Sequence, residues 1–361
     1  MNARERFIAC SLGGTVDRFF RYEHGAWPTT LERWRSEGMP DNDDWAMDPI
    51  VTLPINAGFT GTAYCPSFER RVVEETDTQI VVQDGDGVLK RVLKEHGDTS
   101  MPQFLRFPVE TRDDWEKIRP RLNPDSPERY GDWPELVRKH GDSARDYPVR
   151  VLICGAYGEL RNLFGEENLA YAIYDHPDLI HDIMQNWVEL YTGIFRKVTA
   201  GIPLDNVMIW EDMACRNGSL LSPRHFREFI LPRYRQLTGF LRQRIPTIWV
   251  DSDGDVRELI PLFVEGGATS IMPFEVQAGM DIVAVRKQHG PAFGIVGGID
   301  KRPLAIGRDA IDAEIDRILP FFVESGGYLP CLDHTAPPNI SYANWKYYLI
   351  RLREREAELR K

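Results

Sequence analysis

Regular apolar segments in the second half of the chain are the feature that most constrains its fold. Each segment ends in glycine or in an acidic residue, and amphipathic stretches separate one segment from the next. Short apolar runs that alternate with helical stretches are typical of a parallel sheet covered by helices. The six candidate strands are Val149–Cys154, Asp205–Trp210, Thr247–Val250, Ala268–Met272, Ala292–Val296 and Gly327–Cys331.

Two weaker candidates in the first half, Phe19–Tyr22 and Val51–Phe59, bring the predicted strands to eight. Because polar residues follow several strands, the pattern predicts an α/β fold of the distorted (β/α)8 TIM-barrel type. No GxGxxG motif opens a helix after the first strand, which argues against a dinucleotide-binding sheet. No linker divides the chain, so residues 1–361 are expected to form one barrel domain.

Residues 60–148 are predicted to be rich in insertions relative to the barrel. Within them, Thr78–Val82 and Val88–Val92 have the composition of short strands, and the Asp-Gly pairs between them suit a tight turn. Residues 120–148 are rich in Pro, Asp and Arg, which is typical of short helices and loops at a surface. The sequence therefore predicts an inserted β-hairpin and a helical excursion.

Charge and cysteine content limit the classes of partner. The formal net charge of −11 disfavours a nucleic-acid or anionic-membrane partner. The five cysteines are scattered without a CxxC motif, as in proteins of a reducing compartment. The chain has no long apolar run and no convincing signal peptide, and it lacks GxSxG and P-loop motifs. We therefore expect a cytoplasmic protein that acts on a small molecule.

Two acidic residues follow the strand Thr247–Val250, in the sequence Asp251-Ser252-Asp253. Strand side chains alternate between the faces of a sheet, so Asp251 and Asp253 are predicted to point the same way, toward the mouth of the barrel. Two neighbouring carboxylates require a metal ion, another cation or a proton. Capping of the next helix by Asp253 is an alternative that stays open.

Polar or aromatic residues also follow the other predicted strands, and they complete a candidate site. Glu211 and Asp212 are predicted to assist acid–base chemistry. His334 is predicted to serve catalysis or a metal, although a histidine bonded within its own loop is the alternative. Asp300 has the alternative of a local ion pair with Lys301. The candidate substrate-binding residues are Glu23, His24, Trp27, Tyr157, Glu275 and Asp300.

The order of these segments resembles the uroporphyrinogen decarboxylase superfamily, which also contains methyltransferases that act with corrinoid proteins. The resemblance extends from about Asp17 to Arg353. It implies a distorted (β/α)8 barrel, often a homodimer, with its cleft at the C-terminal ends of the strands. The matching segments are Tyr22-Glu23-His24-Gly25, Trp210-Glu211-Asp212-Met213-Ala214, Asp251-Ser252-Asp253-Gly254-Asp255, Gly297-Gly298-Ile299-Asp300 and Asp333-His334-Thr335-Ala336-Pro337-Pro338.

The chain departs from the decarboxylases at the positions that grip their substrate. Two arginines expected around the first loop are replaced by Tyr22 and Ala26, and an Asp-Ser pair reads Glu211-Asp212. A cleft lined by acidic residues would repel a porphyrinogen with eight carboxylates, by ~1 kcal/mol per close pair even in water. Decarboxylation of this or another carboxylated substrate is the alternative, and it requires arginines such as Arg21 or Arg161 in the cleft.

The methyltransferases of the superfamily bind zinc through a His-x-Cys pair and a later Cys. Here the corresponding residues are Asp251, Asp253 and His334, a set that suits a harder divalent metal ion. The resemblance therefore predicts an enzyme that moves a methyl group between a small methylated compound and a corrinoid carried by a partner protein. A non-catalytic ligand-binding barrel is a further alternative.

Overall fold

The computed structural model describes residues 1–95 and 101–361. Its parallel strands lie in both halves of the chain, and its antiparallel strands lie mostly in the predicted insertion. The strands are β1 Val51–Thr52, β2 Arg71–Glu75, β3 Gln79–Gln83, β4 Leu89–Leu93, β5 Gln103–Arg106, β6 Val149–Cys154, β7 Asn206–Trp210, β8 Ala214–Cys215, β9 Gly218–Ser219, β10 Thr247–Asp251, β11 Ser270–Met272, β12 Gly294–Val296 and β13 Tyr328–Leu329.

Helices connect the parallel strands and cover the sheet. A wide helical turn, Phe226–Ile230, joins α8 to α9, and single helical turns occur at Arg119–Arg121, Pro127–Tyr130 and Val276–Ala278. None of the helices within the described residues is both long and apolar enough to cross a membrane. The helices are α1 Ala3–Leu12, α2 Pro28–Ser36, α3 Arg112–Ile118, α4 Trp133–His140, α5 Ala156–Phe164, α6 Glu166–Asp175, α7 Pro177–Gly201, α8 Pro223–His225, α9 Leu231–Leu241, α10 Ile260–Glu265, α11 Ile282–His289, α12 Arg302–Ile306, α13 Arg308–Ser325 and α14 Tyr342–Leu359.

Seven parallel strands form one curled sheet in the order β1-β6-β7-β10-β11-β12-β13. Helical segments connect each of these strands to the next one in the sheet, as expected for a TIM-like barrel. The six strands predicted in the second half are all present, although several are shorter than predicted. The α/β barrel prediction is confirmed as a TIM-like half-barrel, because the sheet described here does not close.

The predicted first strand, Phe19–Tyr22, does not form. Its backbone N–H groups donate hydrogen bonds to side chains. Phe19 N donates to Glu356 Oε1 (2.5 Å), and Arg21 N donates to Asp48 Oδ2 (2.8 Å). These bonds replace the ladder to a neighbouring strand that a sheet requires. The second candidate, Val51–Phe59, is a strand only at Val51–Thr52.

Helix α1, which the sequence patterns did not indicate, closes the sheet at the end opposite its mouth. Phe7 stacks on Trp249 at 5.1 Å between ring centroids, and Ser270 Oγ donates to Ser11 O at 3.0 Å. Gly294 allows this approach, because a Cβ atom there would lie 2.3 Å from Ser11 O. The helix thus blocks access from below, and the other end of the sheet remains for a ligand.

The predicted hairpin is confirmed as the pair β3–β4, and it extends into a four-stranded antiparallel sheet, β2-β3-β4-β5. Helix α4 and two single turns lie in the predicted helical excursion. Residues 96–100 of the predicted insertion lie outside the described residues.

Glu159 in α5 is a carboxylic acid in an apolar environment. Its side chain is 2% exposed, and neither carboxyl oxygen has a hydrogen-bond partner in the described part of the chain. Burial raises the pKa of Glu159 to about 8, and the nearby Asp86 carboxylate adds to the effect. Glu159 is therefore mostly protonated at neutral pH.

Substitution Glu159→Gln is expected to increase the free energy of unfolding, and to increase it more at pH 8 than at pH 5. Between the unfolded pKa near 4.5 and the folded pKa near 8, the native state holds a proton that the unfolded state has released. The stability from this proton is therefore lost as the pH rises, by up to about 1.4 kcal/mol per pH unit. Urea denaturation between pH 5 and 8 measures the difference, and parallel profiles of the two proteins would contradict it.

Candidate functional site

Three side chains from different loops meet at the C-terminal ends of the strands. His334 follows β13, Glu275 follows β11 and Asp253 follows β10. His334 Nε2 lies 3.3 Å from Asp253 Oδ2, and one ligand atom of each of the three residues lies within 4.8 Å of the others. All three are half-buried, so they face a cleft that solvent reaches. We call Asp253, Glu275 and His334 the mouth triad.

Each member of the mouth triad is held by a further contact. The bond to Asp253 raises the pKa of His334, and Trp27, which is 49% exposed, stacks on its ring at 6.0 Å between centroids. Gly254 N donates to Glu275 Oε2 at 3.0 Å. Burial raises the pKa of Glu275, and the charge of Asp253 raises it further. Two carboxyl groups and an imidazole are thus positioned around a shared centre.

Asp251, Asp253 and His334 were the residues predicted to hold a metal. The structure brings Asp253 and His334 together with Glu275, which was predicted to bind substrate, and not with Asp251. The strand ends at Asp251, and the chain then turns through Gly254, whose φ is +82°. The extended conformation therefore does not continue, and Asp253 turns to His334 without Asp251 joining the group. Helix α10 begins only at Ile260, so Asp253 does not cap it.

Asp251 lies beside the mouth triad and retains a proton at neutral pH. Burial raises the pKa of Asp251 to about 8, and the carboxylates of Asp253 and Asp212 contribute. The charges of His334 and Arg150 act in the opposite direction but are smaller in effect. Such a protonated carboxyl group is able to donate a proton.

Successive residues of the first loop face opposite sides. His24 lines the cleft, with Nε2 at 3.4 Å from Cys331 Sγ, and burial lowers its pKa to about 3, so the imidazole is neutral. Glu23 instead bonds to Tyr348 OH (2.7 Å) on α14 and to Leu332 N (3.1 Å). Glu23, predicted to bind substrate, thus holds α14 against the loop and lies outside the cleft.

Glu211, predicted to act as an acid or base, is instead fully enclosed by donors. Its carboxylate accepts hydrogen bonds from Ala156 N (2.8 Å), Tyr157 N (2.7 Å) and Gly158 N (3.2 Å), and from Tyr234 OH. Burial raises its pKa, but these four donors and the start of α5 favour the anion. Glu211 therefore anchors α5 to β7 and has no lone pair free for substrate.

Gly155 makes this anchor possible. A Cβ atom at Gly155 would lie 2.3 Å from Glu211 Cδ, so no other residue fits between the strand end and the carboxylate. The sequence offered a signal here, since a glycine directly after a buried strand indicates close approach of another group.

Asp212 stays at the mouth of the sheet. Its φ is +47°, which is unusual for a residue other than glycine, and Arg161 Nη1 donates to its carbonyl oxygen (2.6 Å) and to Oδ2 (3.3 Å). Arg161 also lies over the Trp210 ring, 4.7 Å from its centroid. Burial raises the pKa of Asp212.

Two other predicted substrate-binding residues have contacts outside the cleft. The side chain of Tyr157 is part of the apolar core. Asp300 forms a bidentate ion pair with Arg302, with a shortest N–O distance of 2.6 Å. Burial acts to raise the pKa of Asp300, but the hydrogen bonds and charge of Arg302 outweigh it, so the pKa is lowered. Lys301, the partner considered for Asp300, binds the buried Asp333 at 3.2 Å.

Arg150 is a buried charged residue that the sequence patterns did not single out. It lies in β6, is 9% exposed, and has its Cζ 5.5 Å from the centroid of the Tyr22 ring. An arginine inside the apolar segment Val149–Cys154 was the available signal, because charged residues are rarely buried without a reason. Of the two arginines considered for the cleft, Arg161 is bound to Asp212, and Arg21 lies beside α14 with Glu23 and Arg353.

Substitution Glu211→Gln is expected to lower the free energy of unfolding by about 1.5–3 kcal/mol, because an amide NH2 would then oppose backbone N–H donors. Chemical denaturation measures the change. The control Tyr234→Phe removes one donor and should cost less, since three backbone N–H groups remain. A Glu211→Gln protein that keeps native stability but loses activity would contradict the anchoring role.

Comparisons with known proteins agree with this geometry. Residues 95–354 match the sequence model of the family described as uroporphyrinogen decarboxylase (URO-D). The uroporphyrinogen decarboxylase of Pelodictyon phaeoclathratiforme (strain DSM 5477 / BU-1) is 24% identical over 294 residues, 77% of this chain and 78% of that protein. That of Geobacter metallireducens is 28% identical over 129 residues, 35% of this chain and 36% of that protein.

A solved structure, a methyltransferase from Methanosarcina mazei, shares the fold with a TM-score of 0.66. It is 15% identical, and the alignment covers 98% of this chain and 99% of that one. At this identity the likeness concerns the fold alone. The family match spans well over half of the chain, and the chain therefore belongs to the uroporphyrinogen decarboxylase (URO-D) family.

Proposed function

We propose that this protein is a metal-dependent methyltransferase, which moves a methyl group between a small methylated compound and a corrinoid carried by a partner protein. The observation that carries the proposal is the mouth triad. Its two carboxyl groups and one imidazole converge within 4.8 Å and suit a divalent ion such as Zn²⁺, Mn²⁺ or Fe²⁺. Three protein ligands leave coordination positions open for a substrate.

A divalent ion in the mouth triad would act as a Lewis acid toward the heteroatom that bears the methyl group. Asp251 lies next to the triad, where its carboxyl group could deliver a proton to this heteroatom. The methyl carbon would form its new bond to the cobalt(I) of the partner's corrinoid as its bond to the heteroatom breaks. The electron pair of the broken bond would stay on the heteroatom, where a proton from Asp251 would neutralise it. Trp27 covers His334 and limits the access of water to the triad.

The charges around the cleft support methyl transfer over decarboxylation of a porphyrinogen. The charge of Asp253 raises the pKa values of Asp212, Asp251 and Glu275, so the four carboxyl groups lie close together. Arg161, the arginine nearest to these acids by its contacts, is already paired with Asp212. A substrate with many carboxylates would meet more repulsion than attraction here.

Decarboxylation of a smaller acid is the second candidate, and Arg150 favours it. A buried guanidinium inside the sheet is able to hold a carboxylate, and the curated relatives are named as decarboxylases. In that reaction Asp251 would protonate the carbon atom from which CO2 leaves. The two reactions therefore share the proton donor and differ in the bond that breaks.

The mouth triad is expected to bind about one divalent ion per chain. Variants His334→Ala and Glu275→Gln should bind it on the order of 100-fold more weakly, since each removes a ligand. Equilibrium dialysis with Zn²⁺ and Mn²⁺, followed by elemental analysis, measures the affinity. Asp300→Asn is the matched control, because Asp300 also follows a strand but pairs with Arg302. Equal binding by all four proteins would contradict the assignment.

Metal-loaded protein is expected to methylate cob(I)alamin from a methylated donor, and Asp251→Asn should lower the rate at least about 100-fold because the proton donor is lost. The change in cobalamin absorbance measures the reaction, and gas analysis measures CO2. CO2 release without methyl transfer would identify the decarboxylase instead. If the metal binds and neither reaction occurs, the result would support the non-catalytic ligand-binding barrel.

A further inference from the structure

The inserted antiparallel sheet and helix α3 border a groove of about 470 Å³. Arg71, Gln83, Leu89 and Arg106 lie opposite one another in the strand register, one in each of β2, β3, β4 and β5. Residues directly opposite each other in antiparallel strands share a face, so these four form one row across the sheet. Ile118, at the end of α3, completes the lining from the helix side. The volume is typical of small-molecule sites, and we call this cavity the insertion groove.

The insertion groove has an apolar surface that solvent reaches. Phe68, Leu89 and Phe107 line it and are only half-buried, and Ile118 in the same lining is buried. Val73, on the edge strand β2, also lines the groove and is 49% exposed. Apolar side chains that stay open to solvent together in one cavity are typical of a binding site. The groove therefore suits a ligand with an apolar body.

Positive charge surrounds this apolar surface. The cationic side chains that line the groove are those of Arg71, Arg106, Lys117 and Arg121. The one acidic residue of the lining, Asp114, is already engaged, since its carboxylate accepts hydrogen bonds from Thr111 N (3.1 Å) and Oγ1 (2.8 Å) at the start of α3. The chain as a whole has a formal net charge of −11, so a local excess of positive charge is unusual in this protein. This excess favours an anionic ligand.

Two of these cations, Arg71 and Arg121, bond only to neutral groups in the described part of the chain. Arg71 Nη2 donates to the amide oxygen of Gln83 at 3.2 Å. Arg121 Nη1 donates to two backbone carbonyl oxygens, at 2.9 and 3.3 Å. The guanidinium carbon of Arg121 also lies 4.2 Å from the centroid of the Phe68 ring, so a positive charge adjoins the apolar surface. Both guanidinium groups therefore have donors left for an anion.

We propose that the insertion groove binds a small amphipathic anion, a molecule with an apolar body and one terminal carboxylate or phosphate group. The apolar body lies on Leu89 and the neighbouring aromatic rings. The anionic group pairs with Arg71 and Arg121, and Lys117 adds positive charge. Guanidinium groups form paired hydrogen bonds with carboxylates and phosphates, and such bonds are stronger beside an apolar surface than in open water. The lining includes no member of the mouth triad, so this site does not depend on the reaction proposed there.

The test compares probes that share a decyl chain and differ in the charge of the head group. Decanoate and decyl phosphate are anionic, 1-decanol is neutral and decyltrimethylammonium is cationic. Isothermal titration of the full chain at neutral pH, below the micellar concentration of each probe, measures the affinities. At least one anionic probe is expected to bind about 10-fold or more tightly than 1-decanol, and the cationic probe is expected to bind most weakly. The ratio of the two anion affinities distinguishes a carboxylate ligand from a phosphate ligand.

The double variant Arg71→Gln/Lys117→Gln removes two positive charges from the lining, and both side chains are exposed, so the fold is expected to persist. It should lower the affinity for the anion about 10-fold or more and leave the affinity for 1-decanol unchanged. Lys90→Gln is the matched control. Lys90 follows Leu89 in β4, points to the opposite face of the sheet and pairs with Asp84 at 2.9 Å. This control should bind the anion as tightly as the unsubstituted protein does.

Equal affinities for the anionic, neutral and cationic probes would overturn the proposal, and so would the failure of both anions to bind. An anion affinity that the double variant keeps, or that Lys90→Gln also loses, would overturn it as well. Sedimentation equilibrium tests the other occupant, a second copy of the chain. A dimer that the double variant dissociates and that neither anion affects would assign the groove to self-association, and the proposal would be wrong.

Discussion

Crowding of carboxyl groups at one half-buried mouth is the constraint on which the rest of this structure depends. Asp253 lies near enough to Asp212, Asp251 and Glu275 for its charge to raise their pKa values. Asp212 has Arg161, Asp253 has His334, and Asp251 retains its proton. The arrangement places a hydrogen-bonded histidine, a proton donor and free ligand atoms at one position, which is what bond polarisation and proton transfer require.

The environment of an acidic residue, more than its type, distinguishes the acidic residues with a structural role from the candidates for catalysis. Glu211 meets four donors and becomes an anchor for α5, while Glu159 in the same helix meets none and keeps its proton. Glu23 serves α14 through Tyr348. These three glutamates thus have three different roles, and none of them is in the mouth triad.

Family membership identifies the scaffold of this protein, whereas the residues of the site bear on its reaction. The URO-D family match establishes the scaffold, a curled parallel sheet with its cleft at the C-terminal strand ends. The residues within that cleft determine the reaction, since one barrel supports many chemistries through its loops. Here the carboxyl groups of Asp212, Asp253 and Glu275 at the mouth would repel a large polyanion.

Local patterns in the sequence were enough to predict the parallel strands of the second half, the hairpin, and helical stretches between the strands. Strands and turns depend on the spacing of apolar residues and on nearby glycines and turn residues. These features can be recognised in a short stretch of sequence. The sequence also indicated that Asp253, Glu275 and His334 lie at strand ends. Tertiary structure alone decided that Glu275 joins the triad and Asp251 does not, because the turn at Gly254 ends the alternation. It likewise placed Phe19–Tyr22 against side chains, not in the sheet, and enclosed Glu211 with donors. Such outcomes depend on contacts between residues that are far apart in the sequence, and a local sequence pattern carries no information on those contacts.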